Sequence, residues 1–502
     1  MERMPDINRR SFVSGAFALG FLGGCRTPVF TMASRRPAGT PRLKLGVLSD
    51  IHVAEWGMEN YLPTVAYDVQ TFVRALRHFR DQGVDGVVIA GDLADYGMVS
   101  EMEAVARAWE LVFPGNRLPD GREVVKLFVT GNHDWEGFRY RDYGARHFPD
   151  PDDLYRAALQ FGMKESWERI WKEPYSPVWT KKVRGYAFVG AHWEGFASND
   201  GENVSFAGAP EAIRAAGRES DPSRPFFFIQ HPQPRGTNYG LQCWGHDRGD
   251  VTAALSEFPN AVAISGHSHY PLTDDRAVWQ GAFTSLQMSS LRYSAAFCED
   301  LGPATMEDAK SSGPNASALD ARKLLPRYMT TDGRHGSVLT VYDDCISVTR
   351  RDFLSDEPLG EDWVLPFPPK DDKPYDYARQ AQREAAPEFG AAARLSIVSD
   401  RRADRAGDGH DVLVVRFPSA MAEGSARASR FEVVACVNGN VLSRKFVSAQ
   451  GFNRAVSRQP QMTECVFDRE ELGRGREIEF VVTPIASFGT RGRPLTGSFD
   501  NA

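Results

Sequence analysis

Five short apolar runs of this chain end in Asp, Asn or His. Residues 43–48 lead into Ser49-Asp50-Ile51-His52, and residues 87–90 into Gly91-Asp92. Residues 124–130 lead into Gly131-Asn132-His133-Asp134, residues 226–230 into His231, and residues 261–265 into Gly266-His267-Ser268-His269. Singly, each has an ordinary explanation: a capping Asp, a Gly-Asn turn, a loop histidine before Pro232. Together they spend four of the chain's 11 histidines at strand ends, with a fifth, His133, beside them. Carboxylates and imidazoles without thiolates suit Mn, Fe or Zn. A carboxylate such as Asp92 can bridge two cations. A hydroxide held between them becomes a nucleophile near neutral pH, and the pair stabilises both attacking and leaving oxygens of an in-line displacement at phosphorus.

These groups converge only if the runs are neighbouring strands of one α/β unit, whose carboxyl edge is where such folds bind ligands. The pattern between them agrees. Residues 66–82 carry Val69, Phe72, Val73, Leu76 and Phe79 at helical spacing and stop at Gly83. Ser100 followed by Glu103 predicts a capping box at the next helix. Residues 186–190 read as another strand, 299–333 as a polar surface insertion, and 337–341 with 346–350 as a closing hairpin. The predicted organisation is a segment 1–41, an α/β domain 42–355, a Pro- and charge-rich linker 356–395, and a small all-β sandwich 396–502. In that last part Asn438-Gly439 marks a hairpin, and the stretch 480–495 resembles the late strands of a fibronectin type III-like module.

The ordered motifs D-x-H (Asp50, His52), G-D-x-x-D (Asp92, Asp95), G-N-H-D (131–134), His231 and G-H-x-H (266–269) resemble the calcineurin-like metallophosphoesterase superfamily over roughly residues 43–353. The resemblance implies an α/β (α+β sandwich) fold of two packed mixed β-sheets flanked by helices, with two metal ions at the strand ends. Carried over, Asp50, His52 and His269 hold the first metal, Asp92 bridges, and Asn132, His231 and His267 hold the second. His133 contacts the phosphate and is the general acid for the leaving group, with Asp95 orienting it. Two departures narrow the branch. Purple acid phosphatases place a metal-binding Tyr where this chain has Asp95, one residue before Tyr96. Protein serine/threonine phosphatases place a phosphate-binding Arg where this chain has Tyr96.

The segment after His231 leaves a ligand strand, so Arg235, Asn238 and His246 are candidate contacts for phosphate or leaving group. A structural loop anchored by Tyr239 and Trp244 is the other reading. Trp135 is a candidate cleft wall and His192 a candidate neighbour. A net charge of −7, with no concentrated basic strip, points away from nucleic acid. The expected substrate is a small organic phosphate or nucleotide. A non-catalytic binding or scaffold module, and a nuclease, are the alternatives. With 42% hydrophobic and 25% charged residues the chain has the composition of a folded protein.

Arg9-Arg10 ahead of the uncharged stretch 14–24 reads as a twin-arginine export signal, too short to span a bilayer. Leu22-Gly23-Gly24-Cys25 resembles a bacterial lipobox, and a lipidated Cys25 would attach the protein to a membrane; cleavage after Thr31-Met32-Ala33 is the other reading. The expected location is periplasmic or membrane-anchored. Five further cysteines contain no CxxC pair, so a zinc–thiolate site is not expected. Cys436 with Cys465 is the pair to test for a disulfide, against free buried thiols. The C-terminal domain is expected to contact a glycan, a protein partner or the catalytic domain.

Overall fold

A computed structural model describes residues 39–501, except 55–68, 195–202, 205, 240–245, 299–326, 372, 404–408, 422–426, 450 and 461. The twin-arginine segment, Cys25 and Trp244 lie outside the described residues. No helix among the described residues is long and apolar enough to cross a membrane.

The chain begins β1 (Leu43–Leu48), α1 (Val69–Gln82), β2 (Gly86–Ala90), α2 (Val99–Val112) and β3 (Val125–Val129). A short helix, α3 (Asn132–Glu136), opens a helical excursion before β4 (Val178–Val183), β5 (Tyr186–Ala191) and β6 (Asn203–Val204). Then come β7 (Phe226–Ile229), β8 (His246–Asp247), β9 (Ala261–Ser265), β10 (Val278–Gln280) and β11 (Thr284–Gln287). The α/β part continues through β12 (Ser294–Cys298), β13 (Arg327–Thr331), β14 (His335–Val341) and β15 (Cys345–Asp352).

Two mixed sheets result. One has the order β15-β14-β1-β2-β3, with β1, β2 and β3 parallel and β14 antiparallel to β1. The other has the order β10-β11-β9-β7-β5-β4, with antiparallel strands only at its two edges. Leu45, Val47, Val88 and Leu127 of the first pack against Phe188, Phe227, Ile229 and Ile264 of the second. Strands buried on both faces read as unbroken apolar runs, which is how the five runs stand out. Helices cover the outer faces. Phe72, Leu76 and Phe79 of α1 and Trp109 of α2 bury against the first sheet, each such side chain contributing about 1.5–3 kcal/mol. Helices Ala209–Glu219 and Asp250–Ser256 cover the second.

Three details differ from the sequence expectation. The cap of α2 lies two residues earlier: buried Glu101, not Glu103, accepts from the backbone N–H of Met98 (3.1 Å) and Tyr96 (2.9 Å). The segment 356–395 is not a free linker. Its β16 (Glu357–Pro358) and β17 (Trp363–Pro366) extend the first sheet at β15, because Trp363 and Leu365 alternate inward within the Pro-rich stretch. The end of the expected insertion, β13, pairs antiparallel with β12.

The C-terminal region is all β: β18 (Ser396–Ala403), β19 (Gly409–Pro418), β20 (Arg430–Val437), β21 (Asn440–Ser448), β22 (Met462–Asp468), β23 (Glu477–Ile485) and β24 (Leu495–Asp500). They form antiparallel sheets β18-β19-β22 and β21-β20-β23-β24 that share a core including Leu413, Val415, Phe431, Phe467 and Phe480. The β20–β21 hairpin turns at Asn438 (φ 51°) and Gly439 (φ 78°), as an Asn-Gly pair allows. Cys436 and Cys465 form no disulfide with each other, so of the two readings the buried thiols hold. They sit on different sheets: Cys465 faces the shared core, whereas the Cys436 thiol lies 3.6 Å from the carbonyl of Glu479.

Loop 452–458 joins this region to the α/β part. Thr273 Oγ1 donates to the Phe452 carbonyl (2.6 Å), His335 Nε2 to that of Asn453 (3.0 Å), and Arg454 pairs with Asp332 (2.8 Å).

Candidate metal centre

The ends of β1, β2 and β9 leave their sheets through left-handed backbone. Asp50 (φ 51°), His52 (φ 43°), Asp92 (φ 52°), His267 (φ 71°) and His269 (φ 57°) all adopt it. Such conformations are costly for residues with a Cβ and cluster where function requires them. The loops touch closely: a Cβ on Gly266 would lie 1.7 Å from Ser49 Oγ, and one on Gly91 2.2 Å from His231 Nδ1. Glycine is therefore the residue that lets the two sheets bring their loops together.

Asp50, His52 and His269 form one buried group. His269 Nε2 lies 2.9 Å, and His52 Nε2 3.7 Å, from Asp50 Oδ1. Asp92, His231 and His267 form a second. His231 Nε2 lies 3.1 Å from Asp92 Oδ2, 3.1 Å from His267 Nδ1 and 3.1 Å from Asn132 Oδ1. Asp92 Oδ2 is also 3.5 Å from His52 Nε2, so this one oxygen stands between the groups.

The donor set fits two cations. The far ring nitrogens are already committed: His52 Nδ1 to Asp95 Oδ1 (3.2 Å), His231 Nδ1 to the Ala90 carbonyl (2.7 Å) and His269 Nδ1 to the Tyr293 carbonyl (3.1 Å). Such partners set the tautomer and leave the other nitrogen's lone pair facing inward. His52 Nε2 and His269 Nε2 then face one another at 3.2 Å, an arrangement that needs a cation or a proton between them. Asp50 Oδ1 is buried with no hydrogen-bond donor. Asp50, Asp92 and Asp95 bring three carboxylates into the cluster against the single guanidinium of Arg292, and buried charge of one sign must be compensated.

That imbalance shows in the titration of the groups. Burial works against the charged ring of His52, yet the Asp50 and Asp95 carboxylates beside it push it up to about 9. Burial likewise opposes His231, but Asp92 and Asp50 push it up to about 9. His267 goes the other way, pushed down to about 3 by burial and then by His231.

Residues 43–271 match the sequence model of the calcineurin-like phosphoesterase family. This stretch is a calcineurin-like phosphoesterase domain. No curated protein matches the chain in sequence. Among solved structures it is similar to a dimetal phosphatase from Danio rerio, at 14% identity and a TM-score of 0.38, over 65% of this chain and 100% of that one. It is also similar to a purple acid phosphatase, PPD1, from yellow lupin seeds, at 11% identity and a TM-score of 0.37, over 65% of this chain and 54% of that one.

In the phosphoesterase domain His133 sits at the open side of the cluster, its side chain 26% exposed against 0–8% for His52, His231 and His269. Its Nδ1 donates to the Asp95 backbone carbonyl at 2.7 Å, and the Asp95 carboxylate is 3.4 Å away. Asp95 therefore touches both His52 and His133. Arg292, which the sequence reading missed, ion-pairs with it. Burial works against the charged form of Asp95, but Arg292 and the two histidines hold it well below the usual carboxylate range.

Asp134 fastens two ligand loops together. Its carboxylate accepts from the backbone N–H of Ala94 (2.8 Å) and Leu93 (3.3 Å) after β2, and of Gly131 (2.8 Å) after β3. No cue in the chain separates it from an ordinary capping Asp.

The other sequence candidates lie elsewhere. Asn238 is fully buried and spends its amide on the carbonyls of Ala277 (2.8 Å) and Ser285 (3.2 Å), while its oxygen accepts from Ser285 Oγ (2.6 Å). It is a structural residue. Arg235 is exposed and tied to β8, its backbone N–H donating to the Asp247 carboxylate at 2.8 Å. The backbone of His246 begins β8; its side chain lies outside the described residues. Trp135 packs between the outer cores of both sheets, with Nε1 3.3 Å from Thr130 Oγ1. His192 is buried against Trp167 and Tyr175, and its Nδ1 accepts the Thr130 N–H at 3.0 Å. Tyr293 and Trp193 are neighbours that sequence reasoning missed: their rings lie 4.4 Å from His269 and 5.9 Å from His267.

Proposed function

We propose that the chain is a dinuclear-metal hydrolase of phosphomonoesters or phosphodiesters. The observation that carries this is the position of Asp92 Oδ2, 3.5 Å from His52 Nε2 and 3.1 Å from His231 Nε2. One carboxylate oxygen there can serve both sites. Asp50, His52 and His269 would hold one cation, and Asn132, His231 and His267 the other. Bound cations would polarise the phosphoryl group and activate water for in-line attack.

The chain's own residues do the rest. The Asp95 carbonyl fixes the His133 ring through Nδ1, leaving Nε2 to deliver a proton to the leaving-group oxygen. Asp134 holds the loops carrying Asp92 and Asn132 at fixed separation. A net charge of −7 favours a small organic phosphate or nucleotide over a polyanion. Arg9-Arg10 and the lipobox-like Leu22-Gly23-Gly24-Cys25 support action outside the cytoplasm, with a lipid on Cys25 as anchor.

The test is turnover across a panel of phosphate mono- and diesters with Mn²⁺ supplied, alongside metal analysis. About two ions per chain are expected by analogy with two-metal sites, with turnover lost on chelation. Full activity in metal-free protein would overturn the reading.

A further inference from the structure

Asn132 is an amide, and an amide can present either end to a cation. Only the oxygen is a ligand. Something must therefore decide which way the side chain faces, and that choice is made next door. Asn132 Nδ2 lies 2.9 Å from the hydroxyl of Tyr140, and the same hydroxyl lies 2.9 Å from Glu136 Oε1. A phenol has one proton to give. Glu136 is buried and accepts it, so the Tyr140 oxygen is left to accept from the amide nitrogen. In the flipped amide, Tyr140 would have to donate to Asn132 and leave the buried Glu136 carboxylate without its donor, at a cost of about 1–3 kcal/mol. The correct orientation puts Asn132 Oδ1 3.1 Å from His231 Nε2, inside the second group.

We infer that Tyr140 and Glu136 are positioning residues: through the polarity of their hydrogen bond they fix the Asn132 amide with its oxygen toward the second metal. The Tyr140 ring also packs 4.6 Å from the ring of His133, so one side chain steadies both the ligand and the acid. The inference rests on the proposed role of Asn132 as a ligand.

The test uses the full chain and Mn²⁺ binding against a competing chelator, read without substrate. Tyr140→Phe keeps the ring and removes the hydroxyl. It is expected to weaken the second Mn²⁺ about 10–100-fold, the usual range for outer-shell partners, with the first unchanged. Asn132→Asp supplies oxygen at both ends and makes polarity irrelevant. In that background Tyr140→Phe is expected to have little further effect. A weakening of equal size in both backgrounds would mean that Tyr140 merely supports the fold, and would overturn the inference. Unchanged Mn²⁺ affinity in Tyr140→Phe would also overturn it. Asn132→Ala separates the two ideas: if it keeps both ions, the ligand role itself fails. If it loses one while Tyr140→Phe loses none, only the positioning role fails.

Discussion

Arg292 and Asp95, 197 positions apart in the chain, form a buried ion pair beside the metal-ligand cluster. The same Asp95 oxygen lies 3.2 Å from His52 Nδ1 and 3.4 Å from His133 Nδ1. One carboxylate thus connects a candidate ligand with the candidate acid, and one arginine holds that carboxylate in its charged form. Arg292→Met would leave Asp95 buried without its guanidinium. Breaking a buried pair on one side costs about 3–5 kcal/mol, so a loss of that order is expected in denaturant unfolding. Arg292→Met combined with Asp95→Asn removes the stranded charge and should recover most of it. A double variant as unstable as the single one would show that the charge is not the cause.

His192 gives the domain an acid sensitivity of its own. Its Nδ1 accepts the Thr130 N–H at 3.0 Å, which only the neutral ring can do. Burial, and then Lys181, push its pKa down to about 3. In the unfolded chain it titrates near the ordinary value of about 6.5. Between these values the unfolded state binds the extra proton, so the stability it contributes is present above about pH 6.5 and is lost as pH falls toward 3. His192→Asn can still accept from Thr130 through its amide oxygen but does not titrate. Its unfolding free energy should fall less steeply from pH 6.5 to 4 than that of the wild type. Parallel curves would rule out His192 as the source.

The centre was legible where its chemistry is local. Each strand end carries its candidate ligand types within a few residues of an apolar run, so the convergence of Asp50, Asp92, Asn132, His231 and His269 could be expected without knowing the fold. What escaped notice acts across the chain. Arg292 follows the second sheet, yet it meets a loop of the first, and no local pattern distinguishes it from a surface arginine. Tyr140 stands eight positions from Asn132, beyond the end of α3. Asn238 failed in the opposite direction. A polar residue in a loop after a ligand strand looks the same whether it faces a cleft or satisfies carbonyls in the interior, and Asn238 does the latter. The segment 356–395 was obscured by composition, since its prolines flank β17, whose Trp363 and Leu365 are buried.

His133 is the residue whose replacement best separates chemistry from metal binding. Its ring contributes no bond to Asp50, Asp92 or His269. It is held instead by the Asp95 carbonyl at 2.7 Å, while its own backbone N–H donates to Asp92 Oδ1 at 2.9 Å. That backbone contact survives any side-chain change, so His133→Gln should keep about the wild-type metal content. In the proposed role the function lost is proton delivery to the departing oxygen, for which general acids contribute about 10²–10⁴-fold. The loss in kcat should be greatest for alkyl phosphates, whose leaving groups need the proton, and smallest for nitrophenyl phosphates, which leave well without it. Measuring kcat across leaving groups of graded pKa checks this: the variant's slope should be steeper than that of the wild type. Equal slopes would remove His133 from the acid role, and a fall in bound metal would place it among the ligands instead.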